Sequence, residues 1–252
     1  MSDSTLRFTD RVENYIKYRS GYPEQILNLL EKRINLKNSM VLADVGSGTG
    51  KLSKLFLKYR NKVFCIEPNE AMRLGAEKSL SHYTNFQSIS GTAEETKLND
   101  NSVDLIIAGQ AFHWFNITGA KKEFSRILKP DGYVVLIWNS RNKTGSSFNK
   151  EYEQLIKKYS SEYERVAHYR IVDSDFKTFF SNGEHSSFQL ENNQKFDIEG
   201  LKGRLFSSSY MPNESSEEYN GIVNDLNKIF EVYNKNGLIL FEYVTEIYYG
   251  KI

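Results

Sequence analysis

The chain has 252 residues and nearly balanced charge, 33 Lys and Arg against 32 Asp and Glu, for a formal net charge of +1. That balance argues against capture of a nucleic acid by bulk charge; hydrophobic residues at 39% and a mean hydropathy of −0.54 lead to the expectation of a soluble protein, and no apolar run approaches the roughly 20 residues that span a bilayer. The single cysteine, Cys65, excludes an internal disulfide and any mechanism that needs two thiols. With no apolar signal-like core after Met1, the expectation is a cytoplasmic, reduced, globular protein without membrane or nucleic-acid partners. His82, His113, His168 and His185 lack zinc-site spacing, so no metal is expected.

In chain order, residues 9–18 read as a helix with Phe8, Val12, Tyr15 and Arg19 on one face. RSGYP (19–23) is a turn, and Pro23 opens a second helix through Ile34. MVLADV (40–45) has strand length and runs directly into GSGTG. LSKLFLKY is a helix, VFCIE (63–67) a buried strand, NEAMRLGAEKSL a helix and NFQSIS a strand. SVDLIIAG (102–109) is apolar on both faces, as a parallel strand covered on both sides must be. AKKEFSRILK is a helix stopped at Pro130, and YVVLIWN (133–139) is the fifth strand. This alternation predicts a doubly wound, mostly parallel α/β sheet. Residues 140–184 are polar and tyrosine-rich, and read as a helical cap inserted over the carboxyl edge. HSSFQLE (185–191) and LILFEYVTEIYYG (238–250) read as strands that complete the sheet, with helices at 197–206 and 215–234 between them. No linker-like stretch divides the chain, so a single domain is expected over 1–252: a lid in 1–39, a core in 40–139, a cap in 140–184 and sheet completion in 185–252.

ADVGSGTGKL is the first chemical signal. A strand ends at Asp44 and Val45, and Gly46, Gly48 and Gly50 follow before the next helix. Side chains in such a loop would hold a ligand away from the backbone. A Walker loop is excluded, because Val45 stands where its first glycine belongs and Leu52 follows Gly50-Lys51. A dinucleotide fingerprint fails once, at Lys51. Glu67 ends the next strand, where an acid can accept both hydroxyls of a ribose. Glycines and acid at this spacing point to a nucleoside site.

The segments VLADVGSGTGKLS, VFCIEPNEAM, GTAEETKLNDNSVDLIIAGQAFHWF and RILKPDGYVVLIWN resemble the Rossmann-like S-adenosylmethionine-dependent methyltransferases over about residues 40–139. The opening YIKYRSGYP and the length are similar to the small-molecule branch that contains trans-aconitate methyltransferases, with Ser20 in place of that branch's proline. The resemblance implies a seven-stranded sheet, mostly parallel with an antiparallel last strand, beneath a helical cap. It also implies S-adenosyl-L-methionine as cofactor and a small-molecule acceptor. Asp44, Gly46, Ser47, Gly48 and Gly50 would shape the methionine side of the pocket. Glu67 would bind the ribose, Pro68 and Met72 would flank the adenine, and Thr92, Ala93 and Glu94 would form the adenine loop. Gln110, Ala111, His113 and Trp114 would lie beside the methyl donor.

Tyr15 and Arg19, four residues apart, read either as a lid whose arginine meets the cofactor carboxylate or as ordinary helix packing. His113 reads as a general base for a hydroxyl acceptor or as pocket wall with Trp114, and a carboxylate acceptor would need no base. Trp138 and Cys65 read as core. The N/DPPY signature of base-nitrogen methylation is absent, and one cysteine excludes cysteine-dependent pyrimidine methylation. An oxygen acceptor, carboxylate or hydroxyl, is the resulting expectation. Two alternatives stay open: a non-catalytic S-adenosylmethionine-binding module, and an NAD-dependent oxidoreductase, disfavoured by Lys51.

Overall fold

The computed structural model describes residues 16–143, 145–163 and 173–252. The expected helix over 9–18 therefore lies largely outside the described residues, and with it Phe8, Val12 and Tyr15; residues 16–18 are helical. The core alternates β1 (Val41–Val45), β2 (Lys62–Ile66), β3 (Phe86–Ile89), β4 (Val103–Gly109) and β5 (Leu128–Arg141) with helices. Those helices are α1 (Gln25–Ile34) before β1, then α2 (Lys51–Lys58), α3 (Glu70–Leu80) and α4 (Ile117–Ile127). Beyond β5 come α5 (Ser147–Tyr159), α6 (Asp173–Phe179), β6 (Ser186–Glu191), β7 (Gln194–Phe196), α7 (Ile198–Phe206), α8 (Tyr219–Tyr233), β8 (Ile239–Phe241) and β9 (Tyr243–Gly250).

The main sheet has seven strands in the order β3-β2-β1-β4-β5-β9-β6. β1 to β5 pair in parallel, and β9 runs antiparallel between β5 and β6. This is the doubly wound sheet that the alternation predicts. Successive strand residues face opposite sides, and two cores result. Leu42, Val63, Leu105 and Ile107 pack with α1 and α2 through Ile26, Leu30, Leu52 and Phe56. Ala43, Val45, Ile106 and Ala108 pack on the other side with Phe124 of α4 and with Phe176 and Phe179 of α6. Helix starts are fixed locally: the Asn69 side chain accepts the Met72 N–H, and that of Asn116 accepts the Gly119 N–H.

A third core forms the cap. Phe148, Tyr152 and Ile156 of α5 meet Leu201 and Leu205 of α7, Ile222 and Leu226 of α8, and Phe241 of β8. The cap therefore draws on segments that the sequence pattern assigns to two units. α5 joins it, whereas α6 covers the sheet; β7 and β8 form a separate two-stranded sheet, whereas β6 and β9 complete the main one.

Three boundaries differ from the expectations. α4 ends at Ile127, and β5 begins at Leu128 and carries Pro130 within it. The β4–β5 register shifts between Val103 and Leu105, an irregularity of the kind where a residue without N–H fits into a sheet. The expected single strand 238–250 is divided at Glu242. The Glu242 carbonyl accepts the Asn142 N–H and the Asn149 amide at 3.0 Å each, and its carboxylate accepts the Ser146 N–H at 2.8 Å. Tying down the loop that leaves β5 uses the groups a continuous ladder would need. β7 is three residues long and too short to show an alternation. No helix among the described residues is long and apolar enough to cross a membrane.

Candidate active site

The carboxyl ends of β1, β2, β4 and β5 open into a cavity of about 430 Å³ beneath the cap, the place where open α/β sheets bind ligands. Its first wall is the loop after β1. The N–H groups of Gly46 and Ser47 donate to the Ile66 carbonyl at 2.9 and 3.1 Å, docking the loop onto the end of β2. Gly46, Gly48 and Gly50 all have positive φ, but their surroundings differ. A Cβ on Gly46 would lie 2.6 Å from that of Ala111, and one on Gly50 would collide with Leu80. On Gly48 it would meet only the Met72 methyl, at 3.9 Å. Gly46 and Gly50 thus permit close packing, and Gly48 leaves the loop open to the cavity. Gly50 itself is not part of the lining.

Asp44 and Glu67 supply the acidic end. The Asp44 Oδ2 accepts the Ser53 hydroxyl at 2.5 Å, while its buried Oδ1 has no hydrogen-bond partner among the described residues, and burial pushes the carboxyl up to about 7. The Ser47 and Thr49 hydroxyls of the loop are also buried and have no partner among the described residues. Glu67 accepts the N–H of Gly48 at 2.8 Å and of Asn69 at 2.9 Å. Burial raises its pKa against the restraint of these two bonds. Pro68 and Met72 line the cavity beyond it, with Thr92, Ala93 and Glu94. The Glu94 carboxylate accepts the Asn116 N–H at 2.8 Å, which joins this loop to the start of α4.

Gln110 follows β4 in a left-handed conformation at φ 58, its N–H on the Ile137 carbonyl and its side-chain amide on that of Asn139, both at 2.9 Å. The strained turn delivers Ala111, His113 and Trp114 to the wall. Burial lowers the His113 pKa to about 4, so its imidazole is neutral near pH 7. A neutral ring is an available hydrogen-bond acceptor but a weak base.

The cavity also brings in residues that the motifs do not mark: Tyr22, Lys51, Asn139, Arg204, Tyr210 and Tyr243. Arg19 lines it too, and its guanidinium donates to the Ser207 hydroxyl and carbonyl at 3.0 and 3.1 Å and to the Ser208 hydroxyl at 3.3 Å. Arg19 thereby straps the N-terminal segment to the carboxyl end of α7, where a cation meets the favourable end of the helix dipole. Lys51 donates to the carbonyls of Ile16 at 2.8 Å and Arg19 at 2.9 Å. The residue that breaks the dinucleotide fingerprint is thus a clasp for the segment above the cavity. Lys51→Met is expected to speed amide exchange across residues 16–22 and to weaken nucleoside binding about tenfold, the loss of one hydrogen-bonded charge. Unchanged exchange in those amides would show that the clasp holds nothing.

Arg204 left one trace in the sequence. In Leu201, Arg204, Leu205 and Ser208, spaced on one helical face, a cation occupies a position otherwise given to buried residues.

Residues 43–136 match the family model described as a methyltransferase domain. The segment holds the glycine loop, Glu67 and the turn after β4. An uncharacterised methyltransferase of Schizosaccharomyces pombe is 32% identical over 137 residues, 54% of this chain and 54% of that protein. One from Mycobacterium bovis is 32% identical over 141 residues, 56% of this chain and 55% of that protein. The chain spans about half the length of the curated relatives it matches. The solved structure of a candidate type II methyltransferase from Anaeromyxobacter dehalogenans is 18% identical, with a TM-score of 0.67 over 93% of this chain and 98% of that one. That likeness shows the same fold carried through the cap. Arg19, Asn139, Arg204, Tyr210 and Tyr243 all lie outside the matched segment.

Proposed function

We propose that the chain binds S-adenosyl-L-methionine in this cavity and transfers its methyl group to a small-molecule acceptor, at a carboxylate or hydroxyl oxygen. The observation that carries the reading is the convergence, in one cavity, of the open Gly48 loop, the Glu67 carboxylate and the unpartnered Asp44 oxygen. These groups suit the cofactor chemically: a backbone free of side chains, an acid for ribose hydroxyls, and a buried acceptor facing a cationic amino-acid end. When bound, S-adenosylmethionine supplies a methyl group already activated by its sulfonium, which departs with the bonding electrons as a neutral thioether.

The protein's own part is alignment and exclusion of water. Glu67, Pro68 and Met72 hold the nucleoside end, with Thr92, Ala93 and Glu94 around the base. Asp44, Ser47 and Gly48 hold the amino-acid end. His113 and Trp114 wall the acceptor side, the neutral imidazole accepting a hydrogen bond from a hydroxyl where the acceptor has one. The N-terminal segment and the cap close the cavity from above, and such alignment is worth roughly 7–11 kcal/mol of barrier. A cavity of about 430 Å³ suits a cofactor and a small acceptor better than a polymer. The resemblance of the N-terminal segment to the trans-aconitate branch supports an oxygen acceptor, and a cytoplasmic setting goes with this reading.

The test is incubation of the protein with S-adenosylmethionine and a metabolite extract, read by mass spectrometry for compounds that gain one methylene mass. Oxygen-methylated products are expected. Methylation confined to carbon or nitrogen would overturn the acceptor class, and cofactor binding without any product would favour a non-catalytic binding module.

A pH dependence follows from Asp44. Its carboxyl titrates near 7 in the free cavity because burial disfavours the charge, with Glu67 adding repulsion and Ser53 opposing both. A bound cation favours the ionised form and lowers that pKa, so binding releases a proton and affinity rises with pH up to about 7. Calorimetry near pH 6 in buffers of different ionisation heat is expected to show this release, and Asp44→Asn to abolish it. Equal proton release in both proteins would remove Asp44 from the cationic end.

A further inference from the structure

The cap end of the cavity contains a buried cation for which the cofactor reading has no use. Arg204, on α7, is 4% exposed and lines the cavity. Its Nε donates to the Tyr243 hydroxyl at 2.6 Å and its Nη1 to the Ser208 hydroxyl at 3.2 Å. The rings of Phe241 and Tyr243 lie 5.7 and 5.6 Å from the guanidinium carbon. No carboxylate bonds to it among the described residues, and the cation of Arg141 acts against its charge.

Arg141 shows what compensation looks like in the same core. It pairs with Glu153 at 3.0 Å, donates to the Tyr163 hydroxyl at 2.6 Å and reaches that of Tyr210 at 3.2 Å. Glu153 is already shared between Arg141 and Lys143. Among the described residues nothing of that kind serves Arg204, whose partners are neutral hydroxyls and ring faces. The neighbourhood registers the excess: burial raises the Tyr210 phenol, yet Arg141, Arg204 and Arg19 outweigh it and bring the group down to about 8. A buried cation without a counter-ion is costly, and the cost is removed by an anion. Guanidinium also presents paired N–H donors that match the two oxygens of a carboxylate.

We propose that Arg204, with the hydroxyls of Tyr210 and Tyr243, receives a carboxylate of the methyl acceptor at the cap end of the cavity. The inference rests on the methyl-transfer reading and narrows it to acidic acceptors. Two observations place the anion on the acceptor rather than on the cofactor. The cofactor-shaped features belong to the loop after β1 and the ends of β2 and β4, within residues 43–136, whereas Arg204, Tyr210 and Tyr243 all come from the cap side outside that segment. Lys51, at the start of α2 directly after the glycine loop, already puts a cation at the loop end.

The experiment saturates the wild-type protein with S-adenosylhomocysteine and titrates acetate, malonate, succinate and citrate, with inorganic phosphate in parallel, by calorimetry and thermal shift. At least one carboxylate is expected to bind. Arg204→Met is expected to weaken that binding about thirtyfold or more, as truncating one side of a buried charge pair does. Its affinity for S-adenosylhomocysteine should stay unchanged, which also shows that it folds. Tyr210→Phe is expected to weaken the same carboxylate less, and stands in if the arginine variant fails to fold. The proposal falls if no carboxylate binds the loaded wild type, if phosphate alone binds, or if the variants bind carboxylate as wild type does. It falls equally if Arg204→Met loses S-adenosylhomocysteine affinity, since Arg204 would then serve the cofactor's own carboxylate. Failure of the wild type to bind S-adenosylhomocysteine is a separate result that removes the methyl-transfer reading.

Discussion

Gly48→Val is expected to abolish binding of S-adenosylhomocysteine in a protein that still folds. A Cβ at this position meets no protein atom closer than 3.9 Å, so the added carbons enter the cavity rather than the core. The positive φ of 55° strains a side chain by roughly 1–2 kcal/mol, more for a β-branched one, against a typical stability of about 5–15 kcal/mol for a folded domain. The consequence falls on the ligand, whose approach to the loop backbone valine blocks. Gly48→Ala should bind with intermediate affinity, because it adds one carbon under the same strain. Circular dichroism checks the fold and calorimetry the binding; normal affinity in the valine variant would put the ligand elsewhere. By contrast, a side chain at Gly46 meets Ala111 and Phe115, so a variant there should lose stability first.

Glu67→Ala is the second large effect expected. Its carboxylate ties the Gly48 and Asn69 N–H groups together, holding the loop after β1 against the turn after β2. The variant loses that tie as well as the acid offered to the ribose. Each hydrogen bond to a charged group is worth about 1.5–3 kcal/mol, so affinity should fall about tenfold to a hundredfold, with a lower melting temperature from the unpaired N–H groups. Glu67→Gln, which retains one acceptor oxygen, should recover part of the stability but little of the affinity. Unchanged affinity in Glu67→Ala, with the melting temperature lowered, would leave Glu67 a purely structural tie.

The contrast between the two halves of the chain explains what could be read in advance. Through Asn139, the inner strands carry apolar runs and the helices are amphipathic, because the sheet is covered on both faces. The glycine loop was legible for a related reason: Gly46, Gly48 and Gly50 occupy conformations with positive φ. Beyond Asn139 the cap is assembled from α5, α7, α8 and β8, which are distant in sequence, and no local pattern says which will meet. The division between β8 and β9 is an instance. LILFEYVTEIYYG alternates without a breaker, and Glu242 interrupts it through bonds to Asn142, Ser146 and Asn149, a segment about a hundred residues earlier.

The same limit applies to the site. Asp44, Glu67 and the residues after β4 could be placed by their position at strand ends. Lys51 was legible only as a mismatch to a dinucleotide motif, and its bonds to the Ile16 and Arg19 carbonyls depend on how the N-terminal segment crosses the loop. Arg204 carried the faint mark of a cation on a buried helical face. Its significance emerges only when the turn after α7, β9 and the end of β5 bring Tyr210, Tyr243 and Arg141 around it.

Calorimetric titration of the wild-type protein with S-adenosylhomocysteine, with NADH titrated in parallel, tests the central claim most directly. The cavity described here predicts saturable one-to-one binding of S-adenosylhomocysteine, lost in Gly48→Val, and no heat from NADH. Binding of NADH, or silence with S-adenosylhomocysteine, would contradict it.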